Sequence, residues 1–337
     1  MYKLKHLRVR LLYNIEYKVY LTNRFFNILI TKVIEMKVLV SDGIEKAGSD
    51  MLKAAGFEVV EQKYSAEELL NVIPDFDAIM VRSATKVPKE VIDKGVKLKA
   101  IARGGVGLDN IDCAYAKEKG IPVLNTPGAS AISVAELALS HMFCLSRFLN
   151  RSKMEMMSGK WPKKDYAKGM ELTGKTLGLI GFGNIGRQVA KRCLGLGMKV
   201  VAYDPFVTTT DMDVTLCTKD EVLAKSDYIS LHIPFIKSEG ASITAAEFAK
   251  MKDGVVIINC ARGGVICEKD LLAALESNKV RYAGIDVYET EPAGEAQMAL
   301  INHPRVSCTP HIGAATEEAQ LRVGVEIAQK VIDTLKK

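Results

Sequence analysis

The sequence predicts an α/β protein in which two parallel-sheet units share one chain of 337 residues. The first observation is a series of short apolar runs rich in β-branched residues, separated by segments with helical spacing, which is typical of βαβ units. The second is that this alternation occurs twice, once from Met36 to about residue 102 and again from Lys175 to about residue 308. The third is an ordinary globular composition, 48% hydrophobic and 26% charged, which allows each unit a buried core.

The elements follow in order from these patterns. The first unit is predicted to contain helices at 44–55 and 88–94 and strands at 37–41, 57–61, 77–81 and 98–102. A long helix is predicted over 130–157, beginning at Ser130 or at Ser133, which has capping-box spacing to Glu136. Periodicity leaves open whether this helix is a hinge, a subunit contact or an ordinary core helix. The second unit is predicted to contain a helix at 185–196 and strands at 175–180, 199–203, 227–231, 254–259, 281–286 and 305–308.

Positive charge is concentrated at the start of the chain. Residues 1–35 contain seven Lys or Arg and two Glu, a net charge of +5, which leaves +1 of the total of +6 for residues 36–337. No basic face is expected on the folded units, so a nucleic-acid partner is not predicted. Three interpretations of residues 1–35 stay open: a mis-assigned start or disordered leader, a targeting segment, or an added element.

Cysteine spacing and hydropathy restrict the compartment. The seven cysteines form no Cys-x-x-Cys pair, which favours reduced thiols in a cytoplasmic enzyme and predicts no metal site. No apolar stretch reaches the roughly 18 uncharged residues needed to span a bilayer, so a membrane partner is not predicted either.

A glycine fingerprint indicates a dinucleotide site. The predicted strand 175–180 runs into Gly181, Gly183 and Gly186 with Gly-x-Gly-x-x-Gly spacing, and a helix follows directly. Exposed amides and the positive end of that helix are suited to a pyrophosphate. The next strand ends at Asp204, whose carboxylate can accept hydrogen bonds from ribose hydroxyls and repels a 2′-phosphate. The pattern therefore predicts NAD rather than NADP. A second glycine cluster, RGGVGLDN at 103–110, is either a carboxylate-binding nest of backbone amides or a simple turn.

Three residues are candidates for redox chemistry on an alcohol. Oxidation of a secondary alcohol needs a base for the hydroxyl proton and a cation for a neighbouring carboxylate. His311 lies just past a predicted strand end, where α/β sheets place ligands, and is the best of five histidines for the base. Arg262 has a similar position and suits bidentate carboxylate recognition, while Glu291 could orient the imidazole. His232 also ends a strand, and cofactor contact and packing are equally compatible with that place.

These segments together resemble the D-isomer-specific 2-hydroxyacid dehydrogenases, most closely the phosphoglycerate dehydrogenase type. The resemblance covers about residues 37–331, and its motifs are VRSATKV at 81–87, RGGVGLDNID at 103–112, NTPGASAISVAEL at 125–137, GLIGFGNIGR at 178–187, AYDP at 202–205, NCARGG at 259–264, DVYETEP at 286–292 and TPHIGAAT at 309–316. It implies a Rossmann NAD domain at 105–312 inserted into a flavodoxin-like substrate domain formed by 36–104 and 313–337.

The resemblance also assigns roles to residues. It implies catalysis by Arg262, Glu291 and His311. The cofactor positions that it adds to the three fingerprint glycines are Thr85, Asn184, Ile185, Asp204, His232, Ile233, Pro234, Cys260, Ala261, Arg262, Asp286 (near the nicotinamide amide), His311 and Gly313. The substrate positions are Arg82 and Ser83, beside Lys86, for a phosphate-bearing tail, Gly105 and Val106 for the carboxylate, and Arg262 and His311.

The function implied is NAD-dependent oxidation of a D-2-hydroxy acid, above all 3-phosphoglycerate to 3-phosphohydroxypyruvate in serine synthesis. Reduction of glyoxylate or hydroxypyruvate by the same residues is the first alternative, and an NAD-sensing corepressor of the C-terminal-binding-protein type is a more distant one. The resemblance implies a homodimer, possibly a tetramer, with the long helix in the contact. Only 26 residues follow His311, so no serine-sensing regulatory domain is expected.

Overall fold

The first unit is a five-stranded parallel sheet. The computed structural model describes residues 36–337 of the chain, so the interpretations of residues 1–35 lie outside the described residues. The strands stand in the order β2-β1-β3-β4-β5, which is the flavodoxin-like order. Their bounds are Lys37–Val40 (β1), Glu58–Glu61 (β2), Ala78–Val81 (β3), Ala100–Arg103 (β4) and Val123–Leu124 (β5).

Helices from both ends of the chain cover this sheet. Four come from its own connections, namely α1 (Lys46–Ala54), α2 (Ala66–Val72), α3 (Lys89–Lys94) and α4 (Cys113–Glu118). The last helix of the chain, Glu317–Leu335, returns to the same sheet: its Ile327 and Val331 lie in one core with Val38, Leu52 and Ala100. The pairing of β5 with β4 corrects the predicted boundary after residue 104. Residues 105–124 continue the first unit, and β5 is too short to produce a visible apolar run.

The second unit is a seven-stranded parallel sheet in the order β12-β11-β10-β9-β6-β7-β8, which contains the Rossmann order. Its strands are Thr176–Ile180 (β6), Lys199–Tyr203 (β7), Thr215–Leu216 (β8), Tyr228–Leu231 (β9), Val255–Asn259 (β10), Val280–Ile285 (β11) and Val306–Cys308 (β12). All five residues of β10 are buried, as expected for a strand covered on both faces. The two folds predicted from the sequence are therefore confirmed, one inserted into the other.

The long helix between the units is broken. The structure has α5 (Ala131–Ser146) and α6 (Leu149–Met157), separated at Phe148, which takes a left-handed backbone with φ of 57°. The predicted capping box is wrong, because α5 begins before Ser133, whose hydroxyl donates to the carbonyl of Gly313 at 2.7 Å. Within residues 36–337 no single helix is long and apolar enough to cross a membrane; α5 and α6 meet that test only as a pair bent by 59°.

The remaining helices connect the strands of the second unit. They are α7 (Asn184–Gly195), α8 (Lys219–Lys225), α9 (Ala245–Lys250), α10 (Glu268–Glu276) and α11 (Met298–Ile301), and the terminal helix Glu317–Leu335 is α12. Short 3-10 turns lie at Ile73–Asp75, Lys163–Tyr166 and Glu295–Gln297. All seven cysteines lie in this described part of the chain, and none of them forms a disulfide there.

Candidate active site

The glycine turn after β6 has the geometry of a pyrophosphate cradle. Gly181 has a φ of 97°, and a Cβ atom there would lie 2.5 Å from the carbonyl oxygen of His232. A Cβ on Gly186 would lie 2.3 Å from the carbonyl oxygen of Gly181, so helix α7 can approach the strand only without a side chain. A Cβ on Gly183 would meet nothing within 4 Å, so the space in front of this backbone is open. The turn therefore fits a dinucleotide phosphate at the start of α7.

Asp204 holds this turn together at the end of β7. Its carboxylate accepts hydrogen bonds from the amides of Phe182 at 2.8 Å and Phe206 at 2.9 Å. Because each carboxylate oxygen can accept more than one hydrogen bond, capacity remains for ribose hydroxyls. Asn184 donates its side-chain amide to the carbonyl of Pro127 at 3.1 Å and ties α7 to the segment before α5.

Residues 232–234, which follow β9, lie against the glycine turn and include no charged side chain at neutral pH. His232 shares a hydrogen bond between Nε2 and the Ser230 hydroxyl at 3.0 Å, and its buried Nδ1 has no partner among the described residues. Burial lowers the pKa of His232 to about 3, so the ring is uncharged at neutral pH. His232 is therefore unsuited to proton transfer, and its contact with the cofactor stays a prediction. Ile233 packs against the core, and Pro234 is exposed.

The predicted catalytic histidine and glutamate are in contact. Nδ1 of His311 lies 2.7 Å from Oε2 of Glu291, while Oε1 of Glu291 accepts from the amide of Tyr288 at 3.1 Å. This contact leaves Nε2 of the half-exposed His311 ring as the nitrogen available for proton transfer. The pair has the geometry of an imidazole held in one orientation by a carboxylate.

Each member of the pair favours the charged form of the other. The hydrogen bond to Glu291 raises the pKa of His311 above its usual value, against burial and the charge of Arg262, with a further contribution from Asp286. Burial acts to raise the pKa of Glu291, but the hydrogen bonds from His311 and Tyr288 outweigh it and the net pKa is lowered. His311 therefore keeps its proton to higher pH than an isolated histidine does, which suits an acid–base residue.

Arg262 follows β10 and reaches across to the first unit. Its Nη1 donates to the carbonyl of Ala261 at 2.7 Å, and its Nε donates to Oδ2 of Asp109 at 3.2 Å. The charge of Arg262 acts on both His311 and Glu291. The three residues predicted for catalysis are thus brought together in the crevice between the units. Cys260 and Ala261 are both buried, and burial raises the pKa of the Cys260 thiol well above its usual value.

Asp286 has a role that was not predicted. Its side chain is buried and accepts hydrogen bonds from the hydroxyl of Thr309 at 2.6 Å and the amides of Ile312 at 2.8 Å and Gly313 at 2.9 Å. These groups flank His311, so Asp286 anchors the loop that carries the catalytic ring. Its contact with a nicotinamide amide stays a prediction.

The predicted carboxylate nest is only partly available. Gly105 donates its amide to the hydroxyl of Thr126 at 3.0 Å, and the substrate contact of this residue stays a prediction. The amide of Val106 donates to no group among residues 36–337, and its carbonyl accepts from Asn125 at 2.7 Å. Thr85 is buried and donates its hydroxyl to Asp42 at 2.7 Å, and its contact with the cofactor stays a prediction.

Arg103 lies near Arg262 and Arg82 and was not predicted as a site residue. Arg82 and Ser83 line an open cavity of about 840 Å³ beside the start of α12, and their contact with substrate stays a prediction. Arg103, at the end of β4, donates its Nε to the carbonyl of Arg82 at 3.3 Å and lies 3.9 Å from the carboxylate of Asp109. Burial and the charges of Arg262 and Arg82 lower the pKa of Arg103. The charges of Arg262 and Arg82 therefore both act on Arg103, and a cation directly after a buried strand was the sequence signal for it.

Comparisons with known proteins show the family and the fold to which this chain is similar. The family model described as D-isomer specific 2-hydroxyacid dehydrogenase, NAD binding domain, matches residues 139–313. The chain is 50% identical to the hydroxypyruvate reductase of Thermotoga maritima over 301 residues, which is 89% of this chain and 98% of that protein. It is 44% identical to the D-3-phosphoglycerate dehydrogenase of Archaeoglobus fulgidus over 305 residues, which is 89% of this chain and 58% of that protein. The crystal structure of a glyoxylate reductase from Paecilomyes thermophila is similar with a TM-score of 0.83 and 32% identity, covering 90% of this chain and 96% of that one.

Proposed function

Since this chain belongs to the D-isomer-specific 2-hydroxyacid dehydrogenase family and has its NAD-binding domain, we propose that its substrate is 3-phosphoglycerate, oxidised to 3-phosphohydroxypyruvate. The observation that carries this proposal is that Arg262, whose charge acts on His311, and Arg82, which lines the cavity at the start of α12, both act on Arg103 between them. A simple 2-hydroxy acid presents one carboxylate, for which one guanidinium suffices. A phosphate adds about two negative charges and three acceptor oxygens, which the other two arginines can bind.

The residues of the crevice account for the chemistry. Arg262 binds the substrate carboxylate, and Asp109, which now occupies its Nε, gives up that position to the substrate. Nε2 of His311 takes the proton of the C2 hydroxyl, and Glu291 stabilises the imidazolium that forms. The backbone of the glycine turn and Asp204 would hold NAD, which when bound would supply the acceptor for the hydride that leaves C2 as the alcohol becomes a ketone. In the reverse direction protonated His311 donates the proton to the ketone oxygen.

Hydroxypyruvate reduction is the second candidate, favoured by the identity and full-length coverage of the Thermotoga maritima relative. The same His311, Glu291 and Arg262 would serve it, because the reacting carbon and carboxylate are alike in both substrates. Arg82 and Arg103 would then bind no phosphate.

The two candidates predict different substrate preferences. With NADH, kcat/KM for phosphohydroxypyruvate should exceed that for hydroxypyruvate about 10- to 100-fold, since a hydrogen bond to a charged group contributes about 1.5–3 kcal/mol. Arg82→Gln should lose about that factor with the phosphorylated substrate and less than about threefold with hydroxypyruvate. Lys97→Gln, which removes an exposed charge from the same unit, is the control. Equal losses on both substrates, with hydroxypyruvate preferred by the unaltered chain, would favour the second candidate.

We propose that the chain forms a homodimer through α6 and the turn after it. Single exposed apolar side chains are common, but a contiguous group of them marks an interaction surface. The members exposed here are Leu149, Met154, Met156, Met157 and Trp161. Sedimentation velocity should give twice the chain mass, and Met156→Glu with Met157→Glu should give a monomer, whereas Val96→Glu on the other unit should not. A monomeric unaltered chain would contradict the proposal. Tetramer formation, the cytoplasmic location and the absence of nucleic-acid and membrane partners stay predictions.

A further inference from the structure

His141 is a polar residue buried on the apolar face of α5. Its side chain is 2% exposed, and α5 packs there against the second sheet. Gly284 of β11 leaves the room for it, because a Cβ atom on that glycine would lie 2.7 Å from Cβ of His141. A buried imidazole costs free energy unless both of its nitrogens are hydrogen-bonded.

Both nitrogens of His141 have partners on the second unit. Nδ1 lies 2.9 Å from the hydroxyl of Ser307, and Nε2 lies 3.2 Å from the hydroxyl of Thr309. Thr309 donates its own proton to Asp286 at 2.6 Å, so its oxygen is left to accept from Nε2–H of His141. The neutral ring then accepts at Nδ1 from Ser307, which in turn accepts from the side-chain amide of Asn150 at 3.4 Å. Every proton in this chain of hydrogen bonds points toward Asp286.

This series of hydrogen bonds ends on the loop that carries His311. Asp286 accepts from the amides of Ile312 and Gly313, the two residues after His311. His311 itself has a φ of 54°, a left-handed conformation that a non-glycine residue adopts only when its surroundings hold it. The contact between His311 and Glu291 depends on this conformation, because it directs the ring toward that carboxylate.

We propose that His141 is a positioning residue for catalysis, which orients Thr309 so that Asp286 holds His311 against Glu291. This inference rests on the proposed acid–base role of His311. Burial lowers the pKa of His141, so the ring stays in the neutral form with one N–H that the hydrogen-bond order requires. The group that titrates in the site is His311, faced by Glu291, Asp286 and the charge of Arg262.

Replacing His141 by Gln or by Asn distinguishes the role of its Nε2–H donor from that of its Nδ1 acceptor. His141→Gln can place an N–H near the original Nε2 and keep the bond to Thr309. His141→Asn can reach only the Nδ1 position, so it keeps Ser307 and loses Thr309. We expect the Asn variant to lose about 10-fold or more in kcat and the Gln variant to stay within about threefold, with the NADH dissociation constant unchanged in both.

A second readout does not depend on turnover. The hydrogen bond to Glu291 is the largest cause of the raised pKa of His311, so NMR titration of that ring should show a lower pKa in the Asn variant and none of this change in the Gln variant. In the pH profile of keto-acid reduction, the limb that falls as His311 loses its proton should move to lower pH in the Asn variant. If the Asn variant fails to fold, Thr309→Val tests the same link, because it removes the hydroxyl that joins His141 to Asp286. It should show the losses expected of the Asn variant, and Thr309→Ser should keep the activity of the unaltered chain.

The outcomes are distinguishable from those of the proposed function. An unaltered chain that reduces no 2-keto acid would contradict the proposed function, while the NMR titration would still test the inference. Equal behaviour of the Gln and Asn variants in the NMR titration, or an unshifted His311 pKa in Thr309→Val, would overturn the positioning role.

Discussion

Replacing His311 by Ala is expected to lower kcat by about a thousandfold, within the range of roughly 10² to 10⁴ typical of general acid–base residues. The reason is that Nε2 of His311 is the only proton-transfer group paired with a carboxylate in the crevice among the described residues, since the half-buried His232 is neutral. The glycine turn lies on β6 and α7, elements that do not include His311. The dissociation constant of NADH should therefore change far less than kcat, although the resemblance also places His311 near the cofactor. Steady-state kinetics and a fluorescence titration of NADH measure the two quantities.

Glu291→Gln is the matched variant for this prediction. It keeps the side-chain volume and removes the charge that raises the pKa of His311. Because the folded pKa of His311 is raised, its acid form is fully present below the ordinary histidine pKa and is lost as the pH rises through the folded value. Keto-acid reduction should therefore fall at lower pH in Glu291→Gln than in the unaltered chain, and alcohol oxidation should begin at lower pH. Equal losses of NADH binding and turnover in His311→Ala would instead identify His311 as a structural residue.

Replacing Arg262 by Gln is expected to lower kcat/KM by about 10²- to 10³-fold, or about 2.7–4 kcal/mol, because a preorganised donor to developing and fixed negative charge is removed. Arg262→Lys keeps the charge without the planar pair of donors and should recover only part of this loss. The side chain reaches Asp109 across the crevice, so the variant also separates the two units at that contact.

Two measurements keep the Arg262 result interpretable. NADH affinity should fall far less than kcat/KM in Arg262→Gln, and Lys97→Gln should retain full activity because its charge lies outside the crevice. A loss in Arg262→Gln that appears equally in NADH binding would show that Arg262 maintains the nucleotide site rather than binding the substrate carboxylate.

The parts of the fold that the sequence predicts are those with long apolar runs. Ten of the twelve strands are three or more residues long and were predicted. The other two, β5 and β8, have two residues each, which is too short to leave a pattern in the sequence. The break between α5 and α6 was also invisible, because it falls at Phe148 rather than at a glycine or proline. The observed boundary of the first unit differs from the predicted one after residue 104 for the same reason: only the pairing of β5 with β4 assigns residues 105–124 to the first sheet.

The residues of the site likewise differ in whether the sequence could predict them. His311, Arg262 and Glu291 could be predicted because each follows a strand and its chemistry has little use in a core. The anchoring by Asp286 and the contacts of His141 could not, because they are side-chain contacts between residues 23 and 168 positions apart, which no local spacing pattern shows. The hydrogen bond from the amide of Gly105 to Thr126 was not predicted either, because Thr126 lies beyond β5, which the sequence did not reveal.

The central claim is that this crevice transfers a hydride between nicotinamide and C2 of a 2-hydroxy acid. A single turnover with NADH deuterated at both C4 positions tests it most directly, with phosphohydroxypyruvate and hydroxypyruvate as separate acceptors. We expect deuterium at C2 of a D-2-hydroxy acid from the unaltered chain, and no detectable transfer by His311→Ala loaded with the same NADH over the same time. An unaltered chain that binds NADH yet transfers no deuterium to either acceptor would contradict the claim, and would leave a protein that holds the nucleotide without using it.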